Sequence, residues 1–140
     1  METKCTLGIG AFGRIDLVNQ KNKEKMSPEN NMTKSYALKV LPKSVIIDSG
    51  LQDHIINEKD IMERLNHPFI IPFHCAMQDD KNIYFLLEVL LGGALFTFLR
   101  AETKFKETWG WFYSASGILA FKQIHARKIA YRDLKRERIW

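Results

Sequence analysis

The sequence predicts an α+β fold, and three observations carry that expectation. Its opening part reads as strands, a helix falls in the middle, more strands follow, and the last part reads as helices. A glycine-rich turn, Gly8-Ile9-Gly10-Ala11-Phe12-Gly13, joins two of the strand-like runs. A lysine, Lys39, sits among the apolar residues of the run Ser35–Leu41, where a charge needs a partner.

Composition bounds the function. A chain of 140 residues with 46% apolar content is one domain at most, with material for a core. No stretch approaches the length of a membrane-spanning helix, and Met1-Glu2-Thr3-Lys4-Cys5 has no apolar signal core, so neither export nor a membrane partner is expected. Cys5 and Cys75 lack metal-like spacing and suit a reducing compartment, which makes the cytoplasm the expected location. The net charge of +5 comes from scattered residues, without the basic stripe and interleaved aromatics of a nucleic-acid binder.

The elements follow in order. Lys4–Gly8 reads as a short strand running into the glycines, and Arg14–Val18 alternates strictly as a second. Residues 19–34 are polar and read as a long surface loop. The Lys39 strand ends at Pro42. Gln52–Leu65 places Ile55, Met62 and Leu65 at helical spacing, and Asn66-His67-Pro68 stops it. Phe69–Ala76 and Asn82–Leu87 read as strands around the turn Gln78–Lys81. The second of these is nearly all apolar and hence central. Glu88–Gly93 breaks the pattern as a hinge. Ala94–Arg100 and Thr108–His125 read as helices.

Lys39, the glycines and Glu58 together suggest a nucleotide site. The dinucleotide-binding fingerprint needs its third glycine to open a helix, whereas Gly13 opens a strand. What remains is a phosphate-covering hairpin of the protein kinase type or a plain glycine-rich hairpin. Glu58 shares the apolar face of its helix with Ile55 and Met62, so it either pairs with Lys39 or reaches water from the edge of that stripe.

Six motifs in order carry a resemblance: Leu7–Ile15 around the glycines, Tyr36-Ala37-Leu38-Lys39, Asn57-Glu58-Lys59, His67-Pro68-Phe69-Ile70, Leu90-Leu91-Gly92-Gly93 and Tyr131-Arg132-Asp133-Leu134-Lys135. The chain resembles the protein kinase domain, and within it the cyclic-nucleotide-dependent serine/threonine kinases, closest to the cyclic-GMP-dependent branch. Lys39 and Glu58 lie 19 positions apart, as in those kinases. The resemblance implies a kinase-like small lobe over residues 1–90, a five-stranded antiparallel sheet with one helix, with a hinge from Glu88. Residues 91–140 would begin the large lobe with its first two helices.

The resemblance also implies roles. Gly8, Gly10 and Gly13 would cover the phosphates of ATP, Lys39 would hold the α- and β-phosphates, and Glu58 would hold Lys39. Leu7, Ile15 and Ala37 would roof the adenine, Leu87 would be the gatekeeper, and Glu88 and Leu90 would offer hinge backbone. Asp133 would accept the proton of the substrate hydroxyl, and Lys135 would steady the γ-phosphate.

Departures from the pattern bear on magnesium and substrate. Ala94 stands where these kinases carry a glutamate that meets the ribose and a basic substrate residue. Arg136 replaces a proline, Arg138 replaces the magnesium-holding asparagine, and Trp140 replaces an apolar residue under the adenine. No metal ligand is therefore assigned, although the family uses magnesium. No Asp-Phe-Gly follows Trp140, so the chain reads as the first half of a kinase domain, with helical aromatics Trp109, Trp111, Phe112 and Phe121 partly exposed. Two functions are expected: a serine/threonine kinase acting on protein hydroxyls, with this chain inactive by itself, or a catalytically dead kinase-like module that binds nucleotide or a partner protein.

Overall fold

A computed structural model of the chain describes residues 1–20, 34–102, 104, 106–132 and 134. The strands are β1 (Glu2–Gly10), β2 (Gly13–Asn19), β3 (Ser35–Pro42), β4 (Phe73–Gln78) and β5 (Asn82–Glu88). The helices are α1 (Lys43–Asp48), α2 (Gln52–Arg64), α3 (Leu95–Glu102) and α4 (Glu107–Ala126). The strands form one five-stranded sheet in the order β1-β2-β3-β5-β4, with every neighbouring pair antiparallel. The expected sheet and helix are therefore present. The chain divides into two compact units, Met1–Arg64 with Pro72–Val89, and Leu65–Ile71 with Leu90–Trp140.

In the first unit, the core centres on Leu41 of β3, Ile46 of α1 and Phe85 of β5, with Leu51, Ile55, Met62, Phe73 and Ile83 packed around them. Phe85 meets Phe73 edge-on at 5.8 Å between ring centroids. A side chain of this size contributes roughly 1.5–3 kcal/mol when fully buried, so this cluster is what holds α2 against the sheet. Ile55 and Met62 dock on it, which confirms the helical spacing read from the sequence and sets the direction of Glu58 between them.

α1 had no counterpart among the expected elements. Its apolar run Val45-Ile46-Ile47 is β-branched and only Ile46 is buried, so periodicity gives no signal over six residues. The signal lies in its end. Gly50 adopts φ 63°, and the amides of Gly50 and Leu51 donate to the carbonyls of Ile47 and Ile46, both at 3.0 Å. This is a left-handed C-terminal stop that glycine permits at no steric cost.

β4 starts at Phe73 rather than at Phe69. The amide of Ile70 donates to the His67 carbonyl at 3.0 Å, and His67 Nδ1 accepts the Phe69 amide at 3.2 Å, so residues 67–70 turn. Prolines 68 and 72 bracket the turn and lack the amides that a ladder needs. Apolar Phe69, Ile70 and Ile71 thus imitate a strand.

The turn between β4 and β5 is held by one carboxylate. Asp79 Oδ1 accepts the amides of Lys81 and Asn82 at 2.8 and 2.6 Å, and Oδ2 accepts the Tyr84 hydroxyl at 2.7 Å. These donors, Tyr84 first, lower the Asp79 pKa from 3.8 to about 2, and the same hydroxyl bond raises that of Tyr84.

The second unit holds α3 and α4. Ala94 precedes α3 and its carbonyl accepts the amides of Thr97 and Phe98. α4 is apolar around much of its circumference, yet Ile124 is its one buried residue, and Trp111, Phe112 and Ile118 are 67%, 59% and 68% exposed. Trp109 is also exposed and Phe121 is half-buried. Phe69 stands edge-on to Phe112 at 6.3 Å, and Gln123 Nε2 donates to the Asn66 carbonyl at 3.5 Å, so the segment after α2 lies along α4.

The Asp79 turn yields a pH prediction. A carboxyl whose folded pKa is depressed stabilises fully above its unfolded value near 3.8 and loses that contribution as pH falls toward about 2. Asp79→Asn is expected to remove this component, flattening stability against pH across that window, as read by denaturant melts at stepped pH.

Candidate nucleotide site

The site is built on one face of the sheet. Cross-strand register aligns Gly8, Ile15, Lys39, Phe85 and Ala76 in one row, and Leu17, Ala37, Leu87 and Phe73 in the next. Side chains alternate between faces along a strand, so residues two apart on β2, β3 and β5 share a face. Ile15, Ala37, Lys39 and Leu87 therefore gather on one surface by register alone, although they come from three strands.

Lys39 Nζ donates to Glu58 Oε1 at 2.6 Å. This settles the open alternative for Glu58: it pairs with Lys39. The two side chains are 25% and 39% exposed, so the pair is half-buried and open to an incoming group. Lys39 Nζ also lies 5.7 Å from the centroid of the Phe85 ring. That face adds a weak attraction for the cation and fixes the stem beneath it. The ammonium is held from the helix side and keeps donors for an anion.

The glycines differ in what they do. A Cβ at Gly13 would overlap the carbonyl oxygen of Val40, so close packing against β3 requires glycine there. A Cβ at Gly8 would meet nothing within 4 Å, and one at Gly10 only the Gly13 carbonyl at 3.8 Å. The fold does not need glycine at these two positions. The bare backbone there leaves room for another molecule to approach its N–H groups, which fits a phosphate chain.

The remaining candidates fall as follows. Leu7 and Ile15 are exposed at the hairpin, Ala37 is buried and Leu87 is half-buried. The amide of Glu88 donates to the Pro72 carbonyl at 3.0 Å, so a base could pair only with the Glu88 carbonyl. Leu90 belongs to the second unit and is exposed. Asp133, Lys135, Arg136, Arg138 and Trp140 lie outside the described residues, as do residues 21–33 of the expected loop. Among the described residues no three His, Cys, Asp or Glu side chains gather as a metal cradle. No described helix is long and apolar enough to cross a membrane.

One buried group has no counterpart among the sequence candidates. Asp16 on β2 is 4% exposed and bonds to Thr6 and Arg14. The alternation that marks β2 places it opposite Ile15, where a polar residue would be expected to face water.

A lysine–glutamate pair beside an open glycine hairpin on an antiparallel sheet agrees with what the sequence matches as a whole. The pattern of the protein kinase domain fits residues 1–140. The chain belongs to the protein kinase family. It is 37% identical to the cAMP-dependent protein kinase catalytic subunit PRKX of Homo sapiens over 138 residues, covering 99% of this chain and 36% of that protein. It is 41% identical over 135 residues to the cGMP-dependent protein kinase isozyme 2, forms cD5/T2, of Drosophila melanogaster, covering 96% and 14%. It is 38% identical over 139 residues to human cGMP-dependent protein kinase 2, covering 99% and 17%. This kinase chain thus spans little more than a third of the first of these relatives and less of the other two.

Three substitutions separate ligand contacts from fold contacts. Lys39→Met is expected to weaken ATP binding at least about tenfold in calorimetry. Its melting stability should shift by less than about 1 kcal/mol, because the pair is partly exposed. Gly13→Ala is expected to destabilise by roughly 1–3 kcal/mol through the collision with Val40. Gly8→Ala should stay within about 0.5 kcal/mol of the parent and lower ATP affinity instead.

Proposed function

We propose that this chain holds ATP within a serine/threonine protein kinase that transfers the γ-phosphoryl group to protein hydroxyls. The observation that carries the reading is the Lys39–Glu58 pair at 2.6 Å beside a hairpin whose Gly8 and Gly10 leave their backbone open. In this reading residues 1–90 are the small lobe, with its hinge from Glu88, and the large lobe begins at residue 91. Lys39 draws the α- and β-phosphates, and the amides of the glycine turn cover them. Leu7, Ile15 and Ala37 roof the adenine, Leu87 limits the pocket's depth, and Glu88 and Leu90 face its edge.

The chemistry assigned to the protein is positioning and charge neutralisation. The substrate oxygen bonds to the γ-phosphorus as the bond from that phosphorus to its bridging oxygen breaks. ADP leaves, and the hydroxyl proton passes to Asp133. Lys135 balances charge on the moving phosphoryl group. Magnesium, which the family uses, neutralises phosphate charge when bound. The described residues supply no cradle for it, and no step above depends on one. The partners are ATP and a protein substrate, with no nucleic acid or membrane. The free thiols Cys5 and Cys75 suit the cytoplasm as location.

Arg138 favours a second reading, a kinase-like module that binds nucleotide or a partner protein without turnover. Arginine has donors only and cannot ligate a metal, whereas the family pattern has asparagine there. ATP calorimetry with and without magnesium, beside phosphate transfer to a serine peptide, tests both readings. Weak ATP binding that changes little with magnesium is expected; in a chain extended after Trp140 by the Asp-Phe-Gly half of a relative, transfer should rise at least about a hundredfold when Arg138→Asn and Trp140→Leu are introduced together. ATP binding without transfer in either protein would leave the binding module, and no ATP binding at all would overturn the nucleotide site.

A further inference from the structure

Asp16 is the one buried charged or polar residue among those described, and the nucleotide reading gives it no task. Its carboxylate is fully engaged. Oδ1 accepts the Thr6 hydroxyl from β1 at 2.8 Å, and Oδ2 accepts Arg14 Nε from its own strand at 2.9 Å. The Arg14 side chain is half-exposed, so one end of this chain of bonds reaches water while the carboxylate does not. Burying a carboxylate is costly unless such donors meet it, and charge-assisted bonds are the stronger kind.

Its position gives the cluster its meaning. Thr6 pairs with Asp16 across the hairpin, and the next pair is Gly8 with Ile15. Two steps on β1 therefore match one on β2, which makes Leu7 the extra residue of a β-bulge. A bulge bends its strand and re-aims the residues beside it, and its ladder is locally broken. This bulge lies directly before the glycine turn. A second register shift lies between Thr3 and Cys5, so backbone pairing alone holds β1 loosely on both sides of Thr6. The Thr6–Asp16 side-chain bond sits on one of the two pairs, Cys5 with Leu17 and Thr6 with Asp16, that lie between the shifts.

We propose that Asp16 is a positioning residue that pins β1 to β2 at Thr6 and thereby aims Leu7 and the Gly8–Gly13 turn over the nucleotide. It lies on the sheet face opposite Ile15 and Lys39, so it touches no nucleotide and acts through the backbone. Arg14 holds the free carboxylate oxygen, fixing the rotamer that receives the Thr6 hydroxyl. The inference rests on the nucleotide reading for its purpose, but the pin itself can be measured without nucleotide.

The test uses the full chain as Asp16→Asn, Thr6→Val and Thr6→Ser, with amide hydrogen exchange of the free protein and ATP affinity by calorimetry. Thr6→Val is expected to speed exchange across residues 7–13 about tenfold, with β3 and β5 amides unchanged, and to weaken ATP binding several-fold. Asp16→Asn, which keeps an acceptor but loses the charge, should fall between it and the parent. Thr6→Ser restores the hydroxyl and should return both readings to the parent values, a rescue that a general packing role would not give. Unchanged turn exchange in Thr6→Val, or equal acceleration throughout the sheet, would overturn the pin. Faster turn exchange with unchanged ATP affinity would overturn its role in aiming the turn. Absence of ATP binding in the parent would instead refute the nucleotide reading and the aiming with it, leaving exchange to report the pin alone.

Discussion

A charge placed in an apolar strand is the constraint on which the first unit depends. Lys39 stands in β3 between Ile15 and Phe85, and neither of these cross-strand neighbours carries a counter-charge for its ammonium. Glu58 supplies one from α2, and it reaches only because Ile55 and Met62 dock that helix on the cluster around Phe85. Apolar packing and the ion pair thus solve one problem together. The packing sets the helix's rotation, and the pair uses that rotation to hold a cation with donors to spare. A half-buried pair of this kind adds little to stability. Its consequence lies in the direction of the ammonium.

The glycine hairpin shows a similar division of labour between its two faces. Ile15 and the open glycines lie toward Lys39, while Asp16 ties Thr6 and Arg14 on the other side. Gly13 belongs to neither group, since the Val40 carbonyl leaves no room for a side chain there. One short motif therefore mixes a residue demanded by strand packing with two that packing does not demand. Treating the three glycines as equivalent phosphate contacts would miss that difference.

Family membership and local geometry meet at different scales. The match to the protein kinase domain runs over the whole chain, whereas the geometry that gives it physical content sits in three strands and one helix. The second unit offers another kind of information. α4 carries Trp111, Phe112 and Ile118 exposed on a helix that is apolar on most sides, a surface of the sort that packs against something when covered.

By itself the sequence determined the α+β order, the antiparallel hairpin around the glycines, the docking face of α2 and the pairing candidates Lys39 and Glu58. Each is a local matter of period or spacing: alternation marks β2, helical spacing marks Ile55 and Met62, and a glycine opening a strand argues against a dinucleotide fold. The resemblance then named Leu7, Ala37, Leu87 and the other candidates. Tertiary structure decided what periodicity does not encode. It resolved Glu58 toward Lys39, because a helix's rotation against a sheet is set by the core beneath it. It made α1 a helix through the Gly50 stop and the burial of Ile46, and it turned residues 67–70 away from β4 through bonds centred on His67. It also buried Asp16, which alternation alone would send to water, because a bulge at Leu7 and the donors of Thr6 and Arg14 exist only once two strands are paired.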